Sequence, residues 1–270
     1  MDSSMNITKE INFHPQDHGR AELNLENRKE GVVATIILSH KDKMNAMGSH
    51  MMMDIQNIFQ NLESMDDLRV VVIRGKGSRA FVGGAFVPEM ATLTVNASIA
   101  YITRLHETIL YIRNCSVPVI AQIEGYCLGA GTELAAACDL RIAAQNAKFG
   151  MPEVTVGMPS IIDASLLPPL IGWGKTREML YTGALYNAEE SSHMGLVETV
   201  AEPDQIDATT EMRISQILAA GPLAIRAQKK LLREWESQSP DEAALSSIRF
   251  MGAAFENGEP QRMMTRFLKS

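Results

Sequence analysis

Five short apolar runs punctuate the first two hundred positions, at 32–38 (Val-Val-Ala-Thr-Ile-Ile-Leu), 70–73, 117–123, 140–143 and 196–200. Each is rich in β-branched residues and bounded by turn-forming ones, the pattern of buried strands. Between them, 49–64 and 98–114 carry apolar residues at helical spacing. This alternation predicts an α/β chain with crossover connections. The spacing of the runs is irregular, so no strict repeat is present. From about Asp204 the character changes: 204–219, 222–236, 240–251 and 259–268 read as helices, broken at Gly221-Pro222, Ser239-Pro240 and Gly258-Glu-Pro260. Proline just inside a helix start is a favoured arrangement, so the C-terminal quarter is predicted to be all helical. Its last helix carries Met263, Met264, Phe267 and Leu268, an apolar stripe that reads as core or subunit interface. Residues 1–22 show no periodicity and are expected to form a loose lead-in before a core over 23–203 and a helical region over 204–270.

Composition narrows the class. With 270 residues, 46% apolar and 21% charged, the chain is an ordinary globular one, long enough to bury a sizeable core. A net charge of -7 argues against a nucleic-acid partner, which needs a basic face. An anionic ligand would need a local positive patch, for which Arg74, Lys76 and Arg79, with Lys41 and Lys43, are candidates. No stretch approaches a membrane span and none resembles a signal peptide. Cys115, Cys127 and Cys138 lack disulfide or metal-ligand spacing and lie in apolar stretches, so buried reduced thiols and a cytoplasmic location are expected. The six histidines, His14, His18, His40, His50, His106 and His193, are scattered without metal-ligand spacing, and no metal site is expected. Ser160 and Asp163 can face a common pocket, but no histidine close in sequence suggests a triad.

Two carboxylates stand out against their neighbours. Glu133 interrupts the run Cys127-Leu-Gly-Ala-Gly-Thr-Glu-Leu-Ala-Ala-Ala-Cys138, and Glu153 follows Phe149-Gly-Met-Pro152. A carboxylate in apolar surroundings must find partners or take up a proton, which makes the pair a candidate acid and base. Two glycine clusters, Arg79-Ala-Phe-Val-Gly-Gly-Ala85 and Gly125-Tyr-Cys-Leu-Gly-Ala-Gly131, each follow a predicted strand. Small residues let a ligand approach the backbone and leave peptide N–H groups free to meet it. A helix opening near Gly131 would add positive partial charge there. Gly75-x-Gly77-x-x-Ala80 imitates part of a dinucleotide fingerprint, but neither the following helix nor a correctly spaced acidic residue is present.

Taken together, Arg79–Ala85, Ile123-Glu-Gly-Tyr-Cys-Leu-Gly-Ala-Gly-Thr-Glu-Leu-Ala-Ala-Ala-Cys-Asp139 and Ala147-Lys-Phe-Gly-Met-Pro-Glu-Val154 resemble the crotonase superfamily, the enoyl-CoA hydratase/isomerase group. The stretch from Tyr181-Thr-Gly-Ala-Leu through Gly195-Leu-Val197 matches the family's following region, so the resemblance covers about residues 25 to 268. It implies a spiral of ββα units with a C-terminal all-helical oligomerisation region that builds homotrimers or dimers of trimers. It further implies that the Ala85 and Ala130 amides form an oxyanion hole for an acyl-CoA thioester. Lys43, Met44, Gly83, Ala85, Phe86 and Val87 fall where the family contacts CoA, which is part of the substrate and not a separate cofactor. Glu133 and Glu153 match the two catalytic glutamates of the hydratases, with Glu133 activating water and Glu153 supplying the α-proton.

Two departures stand against that pattern. Phe86 replaces the aspartate usual after the first oxyanion alanine, and Pro159-Ser-Ile-Ile-Asp-Ala164 replaces Pro-Gly-x-Gly-Gly. The resemblance therefore implies hydration of an enoyl-CoA, with double-bond isomerisation, thioester hydrolysis, C–C cleavage or acyl-CoA binding without turnover as the competing readings.

Overall fold

The computed structural model describes residues 19–265 and residue 268. The chain opens with the hairpin β1 (Arg20–Arg28) and β2 (Gly31–Ser39), then α1 (Ser49–Glu63). Three successive turns follow, each sending one strand into a large sheet and the next into a small one. They are β3 (Leu68–Gly75) with β4 (Ala80–Val82), β5 (Val119–Ile123) with β6 (Tyr126–Leu128), and β7 (Leu140–Ala144) with β8 (Lys148–Gly150). The first turn closes through α2 (Val87–Met90) and α3 (Val95–Asn114), the second through α4 (Ala130–Ala137). The third runs through two 3-10 helices, Pro152–Val156 and Ile162–Leu166, into α5 (Leu167–Thr182). Next come β9 (Leu185–Asn187), α6 (Ala188–His193) and β10 (Thr199–Ala201). Last are α7 (Ile206–Ala219), α8 (Pro222–Trp235), α9 (Pro240–Glu256) and α10 (Glu259–Met264).

The large sheet has the order β1-β2-β3-β5-β7-β10 and the small one β4-β6-β8-β9. Apart from the β1–β2 hairpin and the antiparallel β8–β9 pair, neighbours run parallel. This is the expected spiral α/β fold. Strand alternation divides the core: Ala34, Ile36, Leu38, Val71, Ile73, Val119, Ala121 and Ile123 face one cluster, while Val33, Val70, Val72 and Ile120 face a second one beneath α7. Between Leu68 and Val70 the register slips by one residue against β2. Arg69 is the unpaired residue, and its buried guanidinium meets the carbonyls of Ile217, Leu218 and Ala220 at the end of α7.

The strand at 196–200 is shorter than its apolar run, reduced to 199–201, because Leu196 and Val197 turn inward as core residues after α6. The lead-in expected over 1–22 lies outside the described residues through position 18, and β1 begins at Arg20. The last helix, expected over 259–268, spans 259–264, and Phe267 lies outside the described residues. Cys127 and Cys138 are buried, Cys115 is partly so, and all three are free.

Candidate active site

Helix α4 carries the centre of the site, and its neighbours lock both of its ends. At its start, Thr132 Oγ1 lies 2.7 and 2.9 Å from the carbonyl oxygens of Cys127 and Gly150, which share its one hydroxyl proton. At its end, the buried Arg141 guanidinium donates to Cys138 O at 2.7 Å and Ala135 O at 3.2 Å, and also to Leu196 O and the Glu198 carboxylate. The cap residue Gly129 has φ 51° and ψ -119°, a conformation only glycine adopts readily. A Cβ there would stand 2.5 Å from Glu153 Oε1. Glycine thus brings the second glutamate against the backbone beside Ala130.

The Ala85 and Ala130 amides lie beside the same cavity. Ala130 is the first residue of α4, so its N–H has no intrahelical acceptor. Ala85 forms an isolated parallel bridge with Met47, in which Met47 N–H donates to Gly84 O (2.8 Å) and Phe86 N–H donates to Met47 O (2.9 Å). Extended backbone alternates its amide directions, so the Ala85 N–H points away from Met47. Among the described residues neither amide has a backbone acceptor.

Glu133 follows Ala130 by three positions and so shares its helix face. It is 4% exposed, and its Oε1 accepts the Ala164 N–H at 2.9 Å. Burial pushes its carboxyl up to about 8, with Glu153 and then Asp163 adding to the rise and the Ala164 amide opposing it. Glu153, in the first 3-10 turn, accepts Ser160 Oγ–H on Oε2 at 2.8 Å. Both glutamates, Ala85, Ala130, Gly83 and Val87 line one cavity of about 530 Å³. Its remaining wall is largely apolar, with Ile99, Ile102 and Leu105 of α3 opposite Val156, Ile161 and Ile162.

Three of the residues expected to touch CoA do not line that cavity. Lys43 is exposed on the 40–46 loop, and Met44 sits behind Gly83, whose N–H donates to Met44 O at 2.8 Å. Phe86 turns onto His40, the ring centroids 4.5 Å apart. The aspartate-to-phenylalanine departure therefore alters the support of the 83–86 loop and not the cavity wall. Sequence reading missed one contact: His106 Nδ1 lies 2.8 Å from Asp163 Oδ2. Fifty-seven positions separate the two, and only the packing of α3 on the 3-10 segment joins them. Ser160 and Asp163 engage different partners, so no Ser-His-Asp triad forms.

The parallel-sheet spiral brings a buried glutamate, a half-buried one and two backbone amides to one cavity, a site suited to an enzyme class that works on small acyl groups. The sequence model of the enoyl-CoA hydratase/isomerase family matches residues 28–269, and the chain belongs to that family. It is 31% identical to the crotonyl-CoA hydratase of Syntrophomonas wolfei over 247 residues, 91% of this chain and 95% of that protein. It is 28% identical to the short-chain-enoyl-CoA hydratase of Clostridium acetobutylicum, over 89% of this chain and 93% of that one. The crystal structure of an enoyl-CoA hydratase from Bacillus anthracis superposes with a TM-score of 0.87 at 26% identity, covering 92% of this chain and 96% of the other.

Proposed function

We propose that this protein is an enzyme that adds water across the α,β double bond of an enoyl-CoA thioester. One observation carries the reading: a carboxyl held near pH 8 and a second carboxylate share an apolar cavity with two unengaged backbone amides. The thioester oxygen accepts hydrogen bonds from the Ala85 and Ala130 amides, which draws electron density toward it and leaves the β-carbon electrophilic. Water between the glutamates loses a proton to one carboxylate as its oxygen bonds to the β-carbon. The other carboxyl delivers its proton to the α-carbon as the enolate collapses. The pair starts and ends with one proton, which is the state that a raised Glu133 beside Glu153 provides at neutral pH. Which glutamate holds the proton belongs to the pair and not to either residue. Removing one oxyanion donor costs ~10²–10³ in rate, and each acid–base group contributes ~10²–10⁴.

The thioester's CoA moiety extends past Gly83 and Val87 toward Met44, Lys43 and Phe86, with the exposed lysine available to its phosphates. Helix α9 buries no residue and exposes Leu245, Ile248, Met251 and Phe255. That apolar face supports a homotrimer or a dimer of trimers built through the C-terminal helices. Among the described residues no helix is long and apolar enough to cross a membrane, and the three free thiols suit a reducing compartment such as the cytoplasm. The loss of enoyl-thioester ultraviolet absorbance, with crotonyl-CoA and longer analogues in H₂¹⁸O, tests the reaction. A hydratase incorporates label, an isomerase does not, and binding without product in either assay identifies an acyl-CoA-binding protein. Undiminished turnover in Glu133→Gln or Glu153→Gln refutes the roles given to the glutamates.

A further inference from the structure

The segment after Glu153 turns back onto both glutamates. Ser160 Oγ–H reaches Glu153 Oε2 at 2.8 Å, and the Ala164 N–H reaches Glu133 Oε1 at 2.9 Å. Asp163, between these two contacts, is 2% exposed and has Oδ2 2.8 Å from Nδ1 of His106 on α3. Its neighbour Ile162 has φ 47°, in the left-handed region that a β-branched residue avoids. A turn in that conformation persists only where its surroundings over-determine it. Here the Asp163–His106 contact on one side and the cavity wall on the other do so. Packing alone does not account for Asp163, since an apolar residue would fill the same place without burying a charge.

We propose that Asp163, held by His106, and Ser160 are positioning residues for the glutamate pair: Asp163 fixes the turn and the electric field acting on Glu133, and Ser160 fixes the carboxylate plane of Glu153. The proposal rests on reading the two glutamates as the acid–base pair. The charged groups facing Glu133 are Glu153 from the first 3-10 turn and Asp163 from the second, with His106 of α3 behind Asp163. The negative charge of Asp163 raises the proton affinity of Glu133 in the same sense as burial and Glu153. Asp163 thus acts twice, through the adjacent Ala164 amide and through its charge. Ser160 limits rotation of a carboxylate whose other oxygen already lies over Gly129.

Asp163→Asn keeps an acceptor for His106 and removes only the charge. In full-length protein with ¹³C-carboxyl-labelled glutamate, Glu133 is assigned by the signal lost in Glu133→Gln and titrated alongside pH profiles of kcat and KM. In Asp163→Asn the Glu133 midpoint is expected to fall, because one like charge is removed. The alkaline limb of kcat is expected to follow it, with KM nearly constant. Ser160→Ala is expected to lower kcat about tenfold at similar KM, the worth of one charge-assisted hydrogen bond, and Ser160→Thr to recover most of the loss. His106→Gln, at a position part-exposed to solvent, is expected to lower kcat without unfolding the protein, and it serves where Asp163→Asn does not fold. An unmoved Glu133 midpoint in folded Asp163→Asn, full kcat in Ser160→Ala, or an undiminished kcat in folded His106→Gln overturns the proposal. A wild-type protein that hydrates no enoyl-CoA, yet whose Glu133 midpoint still falls in Asp163→Asn, refutes the hydratase reading and leaves the positioning role standing.

Discussion

Glu133→Gln should stabilise the protein while abolishing its activity, and the stabilisation should grow with pH. The Glu133 carboxyl rises from 4.5 to about 8 in the folded protein, chiefly because it is buried. Between those two values the folded chain holds a proton that the unfolded chain has released, so stability falls as pH rises through the interval. Below 4.5 the penalty is absent, and above 8 it is complete. At 1.36 kcal/mol per unit its ceiling is about 5 kcal/mol, part of which belongs to the interaction with Glu153. Glutamine keeps an acceptor for the Ala164 amide and has no charge to desolvate. At about 2 °C per kcal/mol for a chain of this size, the Tm of Glu133→Gln should gain ~5–10 °C on wild type between pH 5 and pH 9. Differential scanning calorimetry across that range measures the gap, and any constant offset from the substitution itself cancels. A gap that does not widen with pH would refute the raised proton affinity of Glu133, and with it the one-proton pair.

Other substitutions probe the scaffold around the pair. Glu153→Gln removes the second-largest cause of the rise at Glu133, so the Glu133 midpoint should drop in a carboxyl NMR titration. An unchanged midpoint would separate the two groups electrostatically. Gly129→Ala puts a methyl 2.5 Å from Glu153 Oε1 at φ 51°, and kcat/KM should fall ~10²-fold or more, as for a displacement of about 1 Å at a reacting group. Activity within a few-fold of wild type would show that the glutamate need not lie on that backbone. Arg141→Met leaves the carbonyls of Ala135 and Cys138 without their buried donor, which should cost about 1–3 kcal/mol for each in urea unfolding. An unmoved midpoint would mean that the end of α4 is held by other contacts.

How much of this was legible in the chain depended on how local the signal was. Helices α1, α3 and α7–α10 and strands β2, β3, β5 and β7 follow apolar periodicity within a few residues of the expected bounds. Glu133, Glu153 and the glycine loops were legible because small residues around a lone carboxylate are a local anomaly. The small sheet was not. Strands β4, β6, β8 and β9 are three residues each, too short for a period of two to register. Helix α5 was hidden by Pro168, Pro169 and the kink at Gly172, whose φ of 73° lies inside it. Strand β1 alternates Ala21, Leu23 and Leu25 with polar residues, but its largely exposed faces carry no apolar run, and residues 20–22 fell within the expected lead-in. The His106–Asp163 contact had no local signature, since it exists only once α3 packs across the 3-10 segment.

On the proposed mechanism, helix α4 ties the catalytic demand to the folding cost. The amide at its first residue and the carboxyl three residues later must reach the same cavity, and a single short helix secures this without a loop between them. That arrangement requires Glu133 to be buried with the wall of small residues that lets the helix approach β4, where a Cβ on Gly131 would strike Val82 O. Burial then raises the carboxyl, and the raised carboxyl is what leaves one proton in the pair at neutral pH. The destabilisation at Glu133 and the proton needed for hydration therefore share one physical origin. Arg141, Thr132 and the 160–164 segment are the contacts that hold α4 and its glutamate in place against that cost. A variant that relieved the burial of Glu133 by opening the α3–α4 contact should gain stability at alkaline pH and lose the proton that the reaction needs.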